Sequence, residues 1–393
     1  MTERERILCA LSGVRPDRVA WVPRMEFWYR GKKHSNTLPS EFKDLTLPEV
    51  IEKLKVGWYA NIPDWTDFDI EGGNLDFPLG ILRSKSLPYD TILEGVDRRV
   101  SVSGTETTVE YFTPVGSIRT ATILTEEMLQ AGVSTSYITR HAIRKASDID
   151  VVGYIFSHIK VVPALEGYLA LRDQIGDKGI AVAFAGAGAC PIHHVLRTLM
   201  PMEDFFFAMM ENPEKIFRLA EQMEDYYQRI KVIAANSPAE VIIHGGNYDD
   251  SITYPPFFKE HILPSLRDYA RTLHQKGKYL MTHTDGENQS LLPLYLESEF
   301  DIADSICPAP MTKSNFDEIY SAFSDRITIW GGIPAILLCR NSCSWDDFKG
   351  FIDDILNRFG HESHFVLGVS DMVTADAELD RLQYITDRVH AIS

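Results

Sequence analysis

Short, almost continuously apolar runs alternate with longer segments of helical periodicity through most of the chain. Apolar runs of this kind are typical of strands buried on both faces of a parallel sheet, and the intervening segments are long enough for crossover helices. The runs cover residues 19–23, 181–184, 241–243, 279–281, 302–303, 327–330 and 365–367. With an eighth strand expected near residues 151–156, the pattern predicts an α/β fold, a (β/α)8 TIM barrel.

Capping signals mark several of the predicted helices. Thr2 and Glu5 form a capping box ahead of an apolar stripe, which predicts a helix at the start of the chain. Pro213 and Ser344 occupy positions typical of helix starts. Pro264 lies inside a further helical segment, where it predicts a kink.

Residues 81–125 have a different character, being rich in Thr, Val, Ser and Tyr with turn signals at Gly104 and Gly116. Their alternation of polar and apolar positions predicts antiparallel hairpins. A segment of about 45 residues makes a poor independent core. We therefore expect one barrel domain over residues 1–393, with an N-terminal helical and β-hairpin elaboration that includes this β-rich insertion.

The amino-acid composition limits the classes of protein to which the chain can belong and the partners that it can bind. The chain has 393 residues, 45% hydrophobic, and a net charge of -17. This composition excludes a disordered chain and argues against nucleic acid or an anionic membrane surface as a partner. The five cysteines include no CxxC pair, and neither a secretory signal nor a long apolar run is visible. We expect a cytoplasmic protein with reduced thiols, whose oligomeric state is left open.

Polar side chains follow nearly every predicted strand, where the active site of a (β/α)8 barrel is built. The sharpest pair is His283 and Asp285 after the 279–281 run, because an imidazole and a carboxylate two residues apart suit a divalent metal such as zinc. Alternatively, Asp285 only orients the histidine or caps the next helix. Cys307 would add a thiolate ligand or serve a structural role.

Four further strand-end residues are candidates for catalysis. His244 would be a third metal ligand, a general acid, or a histidine satisfied by backbone groups. Asp304 and Asp371 follow apolar strand residues, where a carboxylate is rarely buried without a partner. Asp250 would be a catalytic acid or a turn residue.

Substrate contacts are expected mainly after the first strand. Arg24 and Glu26, two residues apart, would clamp a polar substrate. Trp28, and Tyr248 after the 241–243 run, would line the ligand site with aromatic surface. The alternative for the aromatic residues near Trp28 is packing in the core.

At several of these places the chain resembles the uroporphyrinogen decarboxylase superfamily, over nearly its whole length. The matching runs include Pro255-Pro256-Phe257-Phe258, Thr282-His283-Thr284-Asp285-Gly286, Trp330-Gly331-Gly332-Ile333-Pro334 and Gly368-Val369-Ser370-Asp371-Met372. The resemblance implies a (β/α)8 fold and one of two chemistries. One is decarboxylation of uroporphyrinogen without a cofactor, and the other is methyl transfer involving a corrinoid protein, with zinc at the barrel mouth.

Departures from the family patterns favour the second chemistry. Trp28 stands where true decarboxylases have a second Arg, the stretch Tyr59-Ala60-Asn61-Ile62 lacks their acid, and residues 368–370 replace their Gly-His-Gly. Asp285 stands where thiol methyltransferases of the family have a Cys.

The chain therefore looks more like the O-demethylase branch. This resemblance implies transfer of a methyl group from a small methyl ether, such as a methoxylated aromatic, to the cobalt of a partner corrinoid protein. A uroporphyrinogen decarboxylase that binds its substrate differently and a catalytically silent binding barrel are the alternatives.

Overall fold

A computed structural model describes residues 1–60, 75–323 and 325–392. Eight parallel strands form one sheet whose spatial order follows the chain. They are β1 (Ala20–Trp21), β2 (Trp58–Ala60), β3 (Gly179–Phe184), β4 (Val241–Gly246), β5 (Tyr279–His283), β6 (Ile302–Ile306), β7 (Thr328–Pro334) and β8 (Phe365–Ser370). The backbone N–H of Gly57 donates to the carbonyl of Trp21 at 2.7 Å, which joins the two ends of the sheet. The predicted (β/α)8 fold is confirmed.

Most barrel strands are buried along their whole length. Every residue of β3, β4, β6, β7 and β8 is buried, which explains why these strands appear in the sequence as continuous apolar runs. The polar residues at their carboxyl ends are therefore brought to one rim of the barrel.

The prediction of a strand near residues 151–156 is wrong. The segment Ala146–Ser157 is a helix, and the eighth strand is the three-residue β2. Val151, Val152 and Ile155 are buried at the spacing of one helix face, which a short window does not distinguish from a buried strand. With only three residues, β2 is too short for its sequence to show the periodicity by which a strand is predicted.

Helices surround the barrel and begin where the capping signals predict them. Thr2 caps the first helix with a complete capping box, Pro213 starts the longest helix, and Ser344 accepts a hydrogen bond from the N–H of Asp347. The helices are α1 (Glu3–Leu11), α2 (Glu26–His34), α3 (Leu47–Leu54), α4 (Glu126–Gln130), α5 (Ala146–Ser157), α6 (Glu166–Ile175), α7 (Pro191–His194), α8 (Met202–Glu211), α9 (Pro213–Asn236), α10 (Pro255–Phe257), α11 (Leu263–His274), α12 (Leu292–Glu297), α13 (Phe316–Phe323), α14 (Trp345–Phe359) and α15 (Leu379–Ala391).

Short 3₁₀ turns and π-helical segments, wound more tightly and more widely than an α-helix, occur between these α-helices. Three-residue or four-residue 3₁₀ turns occur at Phe77–Leu79, Gly176–Lys178, Gln289–Leu291 and Ala335–Leu338. The segments Val195–Leu199 and Phe258–Ile262 are π-helical. The second π-helical segment ends just before Pro264, so the expected irregularity lies in the turn preceding that proline.

The predicted hairpins of the insertion are present, and the β structure extends beyond residue 125. Four antiparallel strands form one sheet: Asp97–Ser103, Glu106–Thr113, Gly116–Ile123 and Tyr137–Arg140. A second antiparallel pair joins Tyr89–Leu93 to Ile159–Pro163. Within the described ranges, no helix has the length and apolar character needed to cross a bilayer.

Candidate functional site

A cavity of about 240 Å³ opens at the carboxyl ends of the barrel strands. Its polar wall includes Arg24, Arg197, Asn247, His283 and Asp371. Its apolar wall includes Phe27, Leu82, Phe184 and Ile243. This position is the one at which (β/α)8 enzymes place their chemistry.

His283, the last residue of β5, lies between three carboxylates. Its Nδ1 is 2.6 Å from Oδ2 of Asp304, and its Nε2 is 3.3 Å from Oδ1 of Asp371 and 3.5 Å from Oδ1 of Asp285. Burial disfavours the charged ring, but the three carboxylates outweigh it and raise the pKa of His283 to about 9. The ring therefore holds a second proton at neutral pH unless a metal ion takes its place at Nε2.

Asp304 is fully buried in β6 and is held from a second side by Tyr59 of β2. The Tyr59 hydroxyl lies 2.9 Å from each carboxylate oxygen. Burial and the neighbouring Asp304 raise the pKa of Tyr59 well above its ordinary value, so the phenol stays protonated as a donor. Tyr59 was not predicted as a site residue. The comparison with the decarboxylase motif included it, but Asn61 and Ile62 of that stretch lie outside the described residues.

Asp371 follows β8 and is paired with Arg24, which follows the neighbouring β1. Nη1 of Arg24 donates to Oδ1 of Asp371 at 2.9 Å, and the Ser305 hydroxyl lies 3.3 Å from the same oxygen. Burial alone would raise the pKa of Asp371, but Arg24 and His283 lower it below its ordinary value. Arg24 also lies over the ring of Phe27, 4.9 Å from its centroid. The predicted clamp residue Arg24 thus holds a carboxylate of the protein itself.

Asp285 is held by an asparagine that sequence reasoning did not select. Nδ2 of Asn247 lies 2.9 and 3.1 Å from the two oxygens of Asp285. The side-chain oxygen of Asn247 in turn accepts a hydrogen bond from Arg197. Burial raises the pKa of Asp285 above its ordinary value. Asn247 follows β4, so the sequence signal that could have identified it was a polar residue just after a predicted strand.

The donors around His283 fit a divalent metal ion. Within the described ranges, one group of metal-binding side chains, His283, Asp285 and Asp371, brings its ligand atoms within 4.8 Å of one another. Ligands at about 2.0 Å from a tetrahedral zinc lie about 3.3 Å apart, close to the distances from Nε2 to the two carboxylates. Asp304 at Nδ1 supplies an outer hydrogen-bond acceptor of the kind that metal-binding histidines almost always have. Two of the predicted metal ligands, His283 and Asp285, are thus brought together.

Cys307, the third predicted ligand, is absent from this group. Its buried Sγ lies 3.5 Å from the carbonyl of Pro308. Burial raises the pKa of the Cys307 thiol to about 12. The thiol is therefore neutral, which agrees with the structural alternative.

His244, Tyr248 and Trp28 are buried away from the cavity wall. The ring nitrogens of His244 lie 2.5 and 3.0 Å from the carbonyls of Ala185 and Ala189, and burial lowers its pKa to about 3. The Tyr248 and Trp28 side chains bond to other buried groups, at 2.8 Å to Thr282 Oγ1 and at 3.0 Å to the carbonyl of Ala377 respectively. These contacts match the backbone alternative for His244 and the core-packing alternative for Trp28, and Tyr248, expected at the ligand site, is also buried.

The remaining two candidates are also outside the cavity lining. Asp250 accepts hydrogen bonds from the backbone and hydroxyl of Ser290, at 3.2 and 2.8 Å, as a turn residue would. Glu26 is buried at the start of α2, where its charge helps to raise the pKa of Arg24.

Comparison with known proteins places the chain in a family. A structure with 13% sequence identity, a methyltransferase from Methanosarcina mazei, matches with a TM-score of 0.53 and covers 100% of this chain and 99% of that chain. A B12-independent methionine synthase from a Shewanella species matches at 9% identity over 95% of this chain and 94% of that chain, with a TM-score of 0.37. A search of curated proteins gives no match. The sequence model of the uroporphyrinogen decarboxylase (URO-D) family matches residues 129–392, more than half of the chain, and the protein therefore belongs to that family.

Proposed function

We propose that the protein is a corrinoid-dependent methyltransferase. It moves a methyl group from a small methylated substrate, in particular a methyl ether such as a methoxylated aromatic, to the cobalt of a partner corrinoid protein. The observation that carries the proposal is the position of His283, whose Nε2 lies between Asp285 and Asp371 at a cavity that also has the apolar surface of Phe27, Leu82, Phe184 and Ile243.

Demethylation of an ether requires stabilisation of the leaving oxygen. An alkoxide or phenoxide is a poor leaving group unless a proton or a cation reaches the oxygen as the bond to carbon breaks. Without a metal ion at Nε2, His283, with a pKa of about 9, is a proton donor at neutral pH. Zinc held by His283, Asp285 and Asp371 would act on the same oxygen as a Lewis acid.

The cavity suits a small donor better than a tetrapyrrole. Its volume of about 240 Å³ is below the range of about 300–1,000 Å³ usual for larger ligands. Phe27 and Phe184 offer aromatic surface to a ring or an alkyl group. A tetrapyrrole with many carboxylates needs many cations, and Arg24 is already paired with Asp371.

Methyl transfer to reduced cobalt tests the proposal directly. Zinc-loaded protein, with metal content established by elemental analysis, is incubated with a panel of methoxyarenes and either a reduced corrinoid protein or free cob(I)alamin. We expect methylcobalt formation, followed by its absorbance, and its loss in His283→Gln.

His274→Gln is the matched control, because Nε2 of His274 lies 2.9 Å from Asp301 at the amino ends of the strands. This variant keeps the active-site histidine and should retain the activity. Absence of transfer from every methoxyarene contradicts the proposal, as does full activity in His283→Gln.

A further inference from the structure

Arg197 brings a second cation to the wall of the same cavity. Its Nη1 donates to the carbonyl of Ala187 at 2.7 Å, and its Nη2 donates to the side-chain oxygen of Asn247. Both acceptors are neutral. Within the described part of the chain no carboxylate forms a salt bridge with Arg197, whereas Arg24 is paired with Asp371 at 2.9 Å.

The local backbone sets Arg197 in this position. Arg197 is the middle residue of the π-helical turn Val195–Leu199, between α7 and α8. Such turns cost regular hydrogen bonding and are frequent at functional sites. The neighbours of Arg197 in the turn, Leu196 and Thr198, are buried, so the turn is anchored while the guanidinium reaches the cavity.

Within the described residues the guanidinium has no direct ion pair, although the charge of Asp285 acts on it at longer range. Its two neutral acceptors satisfy two of its five N–H donors and supply no counter-charge. Asp285 lies beyond Asn247, which accepts from Arg197 on one side and donates to Asp285 on the other. An anion entering the cavity would meet the remaining donors in the planar fork that recognises carboxylates.

We infer that Arg197 is an anion-binding subsite and that the small molecule bound in the cavity carries a carboxylate or a similar planar anionic group. The apolar part of that molecule lies against Phe27 and Phe184 on the cavity wall. The identification of this molecule as the methyl donor rests on the proposed function, but the subsite itself does not.

Matched acids and amides test the subsite. The probes are 4-methoxybenzoate with 4-methoxybenzamide and methoxyacetate with methoxyacetamide, titrated into zinc-loaded protein by calorimetry. We expect the wild-type protein to prefer an acid over its amide by about tenfold to a hundredfold, the usual effect of hydrogen bonds to a charged group. Arg197→Gln should remove the preference, and Arg197→Lys should restore part of it.

Arg229→Gln provides the matched control, because Arg229 is an exposed cation of α9 paired with Asp225 at 2.7 Å. It should keep the preference for the acid. Equal affinities for acid and amide in both pairs, or no binding of either acid, overturn the inference. A preference that persists in Arg197→Gln also overturns it, because the carboxylate is then bound elsewhere, for example by the metal.

The two proposals fail in different ways. If the acid preference depends on Arg197 but no methyl group reaches cobalt, the subsite stands and the methyltransferase proposal falls. If methyl transfer proceeds equally well from acid and amide and is unchanged in Arg197→Gln, the methyltransferase stands and the subsite falls.

Discussion

Nδ1 of His283 lies 2.6 Å from Oδ2 of Asp304, a carboxylate without solvent exposure. Because Asp304 accepts a hydrogen bond at Nδ1, the lone pair or second proton of the ring is confined to Nε2, which points at Asp285 and Asp371. An outer carboxylate of this kind fixes both the tautomer and the orientation of a metal-binding histidine.

Asp304→Asn should therefore weaken zinc binding. An asparagine can turn its NH₂ group toward Nδ1, which favours the tautomer with its proton at Nε2, where the metal would bind. Loss of such an outer carboxylate typically lowers metal affinity by about 10-fold to 100-fold. Competition with a chelating dye measures the affinity.

Asp301→Asn is the control for this prediction, because Asp301 lies 2.9 Å from His274 outside the cavity. It should leave the zinc affinity unchanged. Unaltered binding in Asp304→Asn would show that Asp304 does not orient a metal ligand.

Tyr59→Phe should destabilise the fold by removing a donor from a buried carboxylate. The Tyr59 hydroxyl serves both oxygens of Asp304 at 2.9 Å, and loss of one partner of a buried charged group costs about 1–3 kcal/mol. Tyr384→Phe removes a similar bond, 2.8 Å to Asp353, near the surface, where water replaces it at under about 1 kcal/mol. Chemical denaturation compares the two variants, and equal losses contradict the prediction.

Local patterns were sufficient to predict the barrel and to select four residues that the fold brings together. His283 and Asp285 are two residues apart at the end of one strand, so their proximity is encoded locally. Asp304 and Asp371 stood out as acids at the ends of apolar runs. All four lie together in the structure because parallel strands bring their carboxyl ends to one rim.

The residues that sequence reasoning missed depend on long-range contacts. Tyr59 belongs to a strand of three residues and reaches Asp304 across the barrel. Asn247 and Arg197 are separated by 50 residues along the chain and meet only after folding. For Trp28 the sequence left substrate contact and core packing open, and its full burial agrees with core packing.

Acid should destabilise the protein partly through His194. Its Nε2–H donates to the carbonyl of Leu79, and its Nδ1 accepts from the Tyr227 hydroxyl, each at 2.9 Å, an arrangement that needs the neutral ring. Burial lowers the pKa of His194 from 6.5 to about 4. The unfolded chain therefore binds a proton first as the pH falls, and stability is lost between pH 6.5 and 4, by up to about 3 kcal/mol.

His194→Gln isolates this contribution. Glutamine can bond to both partners of His194 but does not titrate in this range. The free energy of unfolding, measured by denaturation from pH 7 to pH 4, should fall less steeply in the variant. An identical slope in both proteins would mean that His194 does not contribute. Buried His193 and His244, whose pKa values burial also lowers, account for a remaining slope in the variant.

Gly132→Ala should destabilise the protein more than Gly104→Ala. Both glycines have left-handed backbone, with φ of +86° and +60°, so each alanine costs about 1 kcal/mol from backbone strain. A methyl group at Gly104 meets nothing within 4 Å, whereas at Gly132 it lies 2.1 Å from the carbonyl oxygen of Phe27. This overlap adds about 1–3 kcal/mol and displaces the backbone of a residue that lines the cavity. Gly132→Ala should therefore also weaken ligand binding in the calorimetric titration, whereas Gly104→Ala should lower only stability. Equal effects of the two variants would contradict the close packing of Phe27 on this turn.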